Sequence, residues 1–508
     1  MTNNKITKEL EKLVSSNDYK NYERKQISEK SLSEKTIFVN SLEEIFDLYN
    51  IKDGATLSFH HHLRNGDYVL NNTLEVIKKR DLKDICIAAS SVFPNNKPMA
   101  ELIKSQNITK IHTNYLNGEV SKVITDGYLR DGLFMYTHGG RALAIERGDI
   151  EIDVAILGCP TVDKLGNGTG AIGKSACGSL GYALSDVKYA KKVVLVTDNL
   201  VDSLDSLVSK YEIEAKYVDA VVVLDSIGDA NGIVSGTTKI TKDPVGLKIA
   251  RDTASLLAEL GLIYNGFSMQ TGAGGTSLAT CAYCKEYMKK NDIKAKFATG
   301  GITGYFVEML EEGLVENLYD VQCFDLKAVK SYGKNPNHHG MSASFYANPY
   351  DENCIVNKLD FVILGATEID KNFNVNVTTD SHGNIIGGSG GHADTAHGAN
   401  VTVITTNLVK SRMPIIKDKV TTITTPGEDI DVLVTERGIA INPLRKDLLA
   451  KLENTKLNIK TMEKLMAISE KLTGKPKVQT HSDEVVGYVI YRDGKVIDYI
   501  YKKWSKNG

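Results

Sequence analysis

Asp153-VAILGCPTVDKLGN-Gly168 recurs, with substitutions, as Asp360-FVILGATEIDKNFN-Val375. In each copy an apolar run ends on a glycine, Gly158 or Gly365. A turn then brings an aspartate, Asp163 or Asp370, ahead of an asparagine, Asn167 or Asn374. A second pair, Val193-VLVTDNLV-Asp202 and Val401-TVITTNLV-Lys410, follows in the same order at nearly the same separation. Two matched segments at one long offset indicate a duplicated domain, not a short-period solenoid.

The repeated runs also set the fold class. Lys83-DICIAA-Ser90, Glu151-IDVAIL-Gly158, Lys192-VVLVT-Asp198, Ala220-VVVL-Asp225, Lys358-LDFVIL-Gly365 and Asn400-VTVITT-Asn407 are apolar at almost every position. Such runs, rich in β-branched residues and bounded by Gly and Asp, read as strands buried on both faces of a parallel sheet. Helical stretches alternate with them, so the expected fold is α/β: two tandem homologous domains, each a mostly parallel sheet flanked by helices. The expected division is a helical arm over 1–40, with Ile6, Leu10, Leu13 and Val14 on one face, a first domain over 41–230 and a second over 231–508. The seam falls in the Gly- and Thr-rich stretch Asp225-SIGDANGIVSGTTKITKD-Pro244, and Pro244 opens a helix to Glu259.

The chain has 508 residues, with 61 Lys and Arg against 63 Asp and Glu. This balance gives no electrostatic case for nucleic acid or an anionic membrane. No apolar run is long enough to span a bilayer, and the N-terminus is polar and charged. Seven scattered cysteines (86, 159, 177, 281, 284, 323 and 354) suit reduced thiols in the cytoplasm. Cys281-Ala-Tyr-Cys284 lacks a second half-site and is read as a buried helix face, and no metal site is expected.

Four segments are candidates for chemistry. Gly387-Gly388-Ser-Gly390-Gly391, followed by His392 and Asp394, presents main-chain N–H groups unscreened by side chains, suited to a phosphate or a developing oxyanion. In Gly266-FSMQTGAGGTSLA-Thr280 an apolar strand runs into Thr271, Gly272, Gly274 and Gly275 and then a helix start, a natural anion site. His60, His62 and Arg64 follow the matching strand of the first domain. His60 and His62 share a strand face, and Arg64 can grip a carboxylate. Gly300 and Gly301 lie in Thr299-Gly-Gly-Ile-Thr-Gly304 after another strand. No nucleophile elbow, zinc-protease helix or kinase motif is present, so proton-shuttling hydrolysis has no support.

NGFSMQTGAGGTSLA (265–279), GGSGGHADTAHGAN (387–400) and VTERGIAINPLR (434–445) together resemble the two-domain coenzyme A transferases, and within them the α subunits of citrate lyase. The similarity runs from about residue 40 to the C-terminus and includes 471–477 and Tyr491-RDGKVID-Tyr499. It implies a transferase that exchanges citrate for acetate on an acyl carrier protein. The implied partners are that carrier (γ) and a citryl lyase (β) subunit in an oligomeric complex. No cofactor would be held by this chain, and the carrier would bring a phosphoribosyl-dephospho-coenzyme A arm. The common coenzyme A transferases place a nucleophilic Glu in a turn that aligns with Thr299-Gly300-Gly301. Gly300 stands at the Glu position, so citrate itself is expected to attack. A shift of that alignment would bring in Glu308 and the covalent route of a general acyl-CoA:carboxylate transferase. A carboxylate with a pKa of roughly 4 needs no base at neutral pH. The glycine amides are therefore expected to hold the thioester oxygen or a citrate carboxylate, the Thr271–Gly275 loop an anionic partner, and His60, His62 and Arg64 the remaining charge of citrate. His392 and Asp394 are expected to orient the loop. A sugar-phosphate isomerase or a scaffold subunit on the same framework are the other readings.

Overall fold

The computed structural model describes residues 30–33, 35–205, 211–234, 239–272, 274–475 and 482–503. Two large sheets form its centre. In the first, the order is Ala220–Val223, Lys192–Thr197, Val154–Gly158, Thr56–Phe59, Ile85–Ala89, Ile108–Thr113 and Leu133–Met135, all parallel. The second repeats it: Val432–Thr435, Val401–Thr405, Phe361–Leu364, Ser268–Thr271, Ala295–Ile302, Val315–Cys323 and His338–Gly340, again parallel. The six apolar runs picked out above all lie in these strands. Their side chains are buried on both faces, Val194 and Leu195 in succession among them.

Duplication extends to the polar details. Asp153 and Asp360 each accept the amide that opens the neighbouring strand, Thr56 and Ser268, at 2.8 Å. Asp163 Oδ1 accepts the Asn167 amide while Asn167 Nδ2 returns a bond to Oδ2. Asp370 and Asn374 do the same. These self-closed Asx turns explain the repeated Asp and Asn: the side chains replace backbone partners that a tight turn cannot supply.

The ends of the chain depart from the simple division. Residues 1–29 of the expected arm lie outside the described residues, while Ile37–Val39 is an edge strand of the first sheet beside Ala220–Val222. A second domain running unbroken to residue 508 was also expected. Instead Val485–Ile490 pairs in parallel with Leu133–Met135, and Val496–Tyr501 closes that edge in a hairpin, so the last strands extend the first sheet. Val485–Ile490 is apolar and mostly buried, which suits an interior strand of either sheet, and only tertiary pairing chose between them. Pro244–Glu259 is the helix expected at the seam, capped by Asp243. Cys281 and Cys284 are buried within helix Gly275–Asn291. Among the described residues no helix is long and apolar enough to cross a membrane.

The two halves meet where the carboxyl ends of their strands face each other. Helix His138–Arg147 of the first half packs on helix Ala343–Ala347 of the second so closely that a Cβ on Gly139 would fall 1.9 Å from the Ala347 carbonyl oxygen. In parallel α/β sheets this edge is where ligands bind.

Candidate active site

Strand Thr56–Phe59 ends at the three histidines, which then diverge. His60 Nε2 lies 2.7 Å from the Gly158 carbonyl. His62 packs over Gly158, where any Cβ would strike its ring at 2.3 Å, and sits 3.5 Å from Asp67. Both therefore face the interior of the first half. His61 turns the other way. Its Nδ1 is 2.6 Å from Ser90 Oγ, and its ring stacks on Tyr182 at 4.9 Å. Burial, with the charge of Arg64 nearby, holds His61 well below the usual histidine range, and burial brings His60 down to about 4.

Arg64 follows in a left-handed turn with φ of 54°, an uncommon conformation for a side chain of this size. The turn sends its guanidinium 4.3 Å over the Phe324 ring and 5.6 Å from that of Phe93. Nη1 is buried without a partner. Among the described residues no carboxylate pairs with Arg64, and desolvation lowers its pKa. A guanidinium stacked on aromatic faces with its fork unpaired is arranged for an incoming carboxylate or phosphate.

It projects into a cavity of about 470 Å³ built by both halves, His61, Arg64, Tyr115 and His138 from the first and Gln322, Phe324 and Gly390 from the second. Among the described residues no Asp or Glu lines it. His138 is the first residue of its helix, capped by Thr137. Its Nδ1 is buried and unpartnered, its ring lies 4.4 Å from Tyr182, and burial depresses its pKa to about 3. The helix is pinned from behind by Arg141, whose guanidinium bonds Asp186 at 2.9 and 3.1 Å and the Ala88 carbonyl at 2.7 Å.

The glycine loop 387–391 is strapped to the first half. The Gly387 carbonyl accepts the Leu116 amide and Gly390 donates to Asn114 O, both at 3.2 Å, and the Gly390 carbonyl accepts the His138 amide at 2.9 Å. Gly388 and Gly391 have no intrachain acceptor for their amides among the described residues. Their missing side chains allow the contact itself: a Cβ would fall 2.3 Å from Asn114 O at Gly388 and 2.6 Å from the Tyr346 hydroxyl at Gly391. Of the four glycines, Gly390 lines the cavity.

His392 is turned away, its ring bonded to Thr425 Oγ1 at 2.8 Å and Gly365 O at 3.0 Å, with burial lowering its pKa to about 4. Asp394 accepts from Thr137 Oγ1 at 2.7 Å and from the Gly139 amide at 3.0 Å. Both residues thus orient other groups and do not line the cavity. Gly300 has φ of 103°, and a Cβ there would lie 2.6 Å from the Gln270 carboxamide. At Gly301 a Cβ would strike the Phe324 ring at 2.3 Å, so this glycine makes room for the ring beneath Arg64. Thr271, Gly272, Gly274 and Gly275 end the matching strand of the second half outside the cavity lining. Gly272 donates to Ile363 O at 2.8 Å, and Gly275 O accepts from Thr241 at 3.1 Å. Glu308 lies on a helix and pairs with Lys327 at 3.1 Å, also away from the cavity.

Sequence reasoning missed His61, Tyr115, His138, Tyr182, Gln322 and Phe324. Thr137-His138-Gly139-Gly140 carried a signal: an N-cap followed by a histidine and two glycines marks a helix start that another backbone approaches closely.

The family model described as "Citrate lyase, alpha subunit (CitF)" matches residues 35–503. The chain belongs to the citrate lyase α subunit family. The citrate lyase alpha chain of Haemophilus influenzae is 43% identical over 462 residues, spanning 91% of this chain and 92% of that one. The Escherichia coli alpha chain is 42% identical, covering 91% and 90%. A Streptococcus mutans structure described as a citrate lyase α subunit in complex with citrate superposes with a TM-score of 0.89 at 42% identity, covering 94% of this chain and 95% of that one. A malonate decarboxylase α subunit from Acinetobacter baumannii, at 14% identity and a TM-score of 0.63, shares the fold. Family membership agrees with the resemblance carried by the glycine loops.

Proposed function

We propose that this chain is the transferase of a citrate lyase complex, exchanging citrate for acetate on the thiol of an acyl carrier protein. The observation that carries the reading is the unpaired Arg64 guanidinium in a cavity that no carboxylate lines among the described residues. A buried cation with no counter-charge is costly unless a ligand supplies one, and a tricarboxylate does. The Streptococcus mutans relative, solved with citrate, supports the choice of ligand.

Citrate is ionised near neutral pH, so its carboxylate attacks the acetyl thioester carbon without a general base. The carbonyl becomes an oxyanion, the carrier thiolate leaves, and a mixed anhydride of citrate and acetate forms. The thiolate then attacks the citryl carbonyl and acetate departs. No bond to the enzyme is made, in keeping with Gly300 where a nucleophilic Glu would stand and with Glu308 paired outside the cavity. Arg64 orients citrate, and the neutral His138 ring on the cavity wall is the first donor for the oxyanion; the Gly388 and Gly391 amides, unengaged within the chain, flank Gly390, the loop's one point on that wall. Removing one such donor typically raises a barrier by about 3 kcal/mol. Asp394 holds the donors in place. The coenzyme-like arm belongs to the carrier, a second subunit splits the citryl thioester, and this chain carries no resident cofactor.

The deciding experiment supplies acetyl-carrier and labelled citrate to the purified chain. Label should enter the carrier as a citryl thioester with stoichiometric release of acetate. An acyl or thioester adduct on the enzyme, trapped by hydroxylamine or borohydride, refutes the direct route.

A further inference from the structure

We propose that Arg492, in the turn between the last two strands, is a positioning residue for the site, acting through Asp394 on the helix start that bears His138. The activity readout of this inference rests on the transfer reading above.

Three separate parts of the chain meet here. The hairpin belongs to the first sheet, yet its turn reaches the second half, where the Tyr491 hydroxyl bonds Asp429 and Arg492 Nη2 donates to Ala347 O at 3.4 Å. Arg492 is buried, and its Nε, without a hydrogen-bond partner, lies 3.8 Å from Asp394 Oδ1. Asp394 in turn holds Thr137 and Gly139. The two glycines of the helix start permit the junction: Gly139 sits against Ala347, and a Cβ on Gly140 would come 3.3 Å from the Arg492 carbonyl. Beyond them the His138 amide bonds Gly390, the one point where the glycine loop enters the cavity.

The groups facing Asp394 are Arg492, the Thr137 hydroxyl, the amides of His138 and Gly139, the hydroxyls of Tyr491, Tyr346 and Tyr182, and Cys354. Arg492 supplies the positive charge among them. Burial raises the Asp394 pKa to about 6, and Arg492 works against that rise. A protonated Asp394 accepts these donors less strongly, so losing Arg492 loosens the cap at pH values where the native protein keeps it.

The test compares the full-length wild type with Arg492→Met and Arg492→Lys, by amide hydrogen exchange of the peptide covering 137–141 and by the pH profile of transfer. In Arg492→Met, exchange corrected for its intrinsic pH dependence should quicken about two- to threefold near pH 7, where the wild type keeps most of Asp394 ionised, and recover towards wild type at pH 8.5. The acid limb of kcat/KM should move up by half a pH unit or more. Arg492→Lys should lie between. Unchanged exchange, equal quickening at every pH, or an unmoved acid limb overturns the proposal. Should Arg492→Met not fold, Asp394→Asn decides: it must abolish the pH dependence of exchange at 138–140, and persistence of that dependence refutes the relay. A wild type that exchanges as expected but transfers nothing refutes the reaction proposed above and not the relay.

Discussion

The carboxylate of Asp394, in the second half, accepts the amide of Gly139, in the first, at 3.0 Å. The bond crosses the junction of the duplicated domains and lands on the helix start that presents His138 to the cavity. The site is thus an interdomain object at its second layer as well as its lining. Gly139→Ala should break the junction, because its Cβ would fall inside the Ala347 carbonyl. The expected cost is about 1–3 kcal/mol of stability, read by denaturant unfolding, with transfer falling further than stability alone explains. Wild-type stability in Gly139→Ala would mean the helices pack less tightly than described.

Arg64 yields two expectations of opposite sign. Arg64→Met should weaken citrate binding by about 3 kcal/mol, on the order of 100-fold, in calorimetric titration. The ligand-free variant should melt no lower than wild type, because an unpaired guanidinium is removed from an aromatic pocket. Arg64→Lys should not restore affinity, since an ammonium lacks the planar fork and stacks poorly on Phe324. Unchanged citrate affinity in Arg64→Met would remove the cavity as the citrate site.

Gly301→Val tests the platform without touching a ligand contact. The new side chain would collide with the Phe324 ring and shift the surface on which Arg64 lies. Citrate affinity should fall at least tenfold in the same titration. Gly388→Val should instead disturb the loop against Asn114 and abolish transfer in a protein that still folds. Near-normal transfer in Gly388→Val would separate that loop from the chemistry.

Acid should destabilise the ligand-free protein from about pH 6.5 downward. Burial holds His60 and His392 at about 4 and His138 and His112 at about 3, all below their unfolded values. The unfolded chain binds those protons first. Stability is complete above the unfolded pKa and is lost as pH falls towards the folded ones. Asp394, raised to about 6, has the opposite sign: its share is present below its unfolded pKa and lost as pH rises through about 6, offsetting one proton. Unfolding midpoints in urea should therefore fall between pH 7 and pH 5 with uptake of more than one proton. Midpoints that stay flat over that range would mean the histidines are charged when folded.

The duplication, the parallel α/β class and the strand positions were legible because each rests on local pattern. Asp163–Asn167 and Asp370–Asn374 close their own turns, and runs such as 193–197 are buried on both faces whatever packs on them. The glycine loop and Arg64 were found for the same reason, since a cluster of glycines or a charged residue in a strand-end turn is visible in the chain itself. Strand parity did place His60 and His62 on one face. That this is the interior face, leaving His61 for the cavity, depends on Gly158 from a strand about a hundred residues away. The pairing of the last hairpin with Leu133–Met135, the stacking of Arg64 on Phe324 and the cap that Asp394 gives Gly139 likewise join distant segments. Local pattern determines which elements form and which turns they need. Only the closure of the two halves on each other decides which residues share a cavity, because that depends on contacts between residues far apart in the chain.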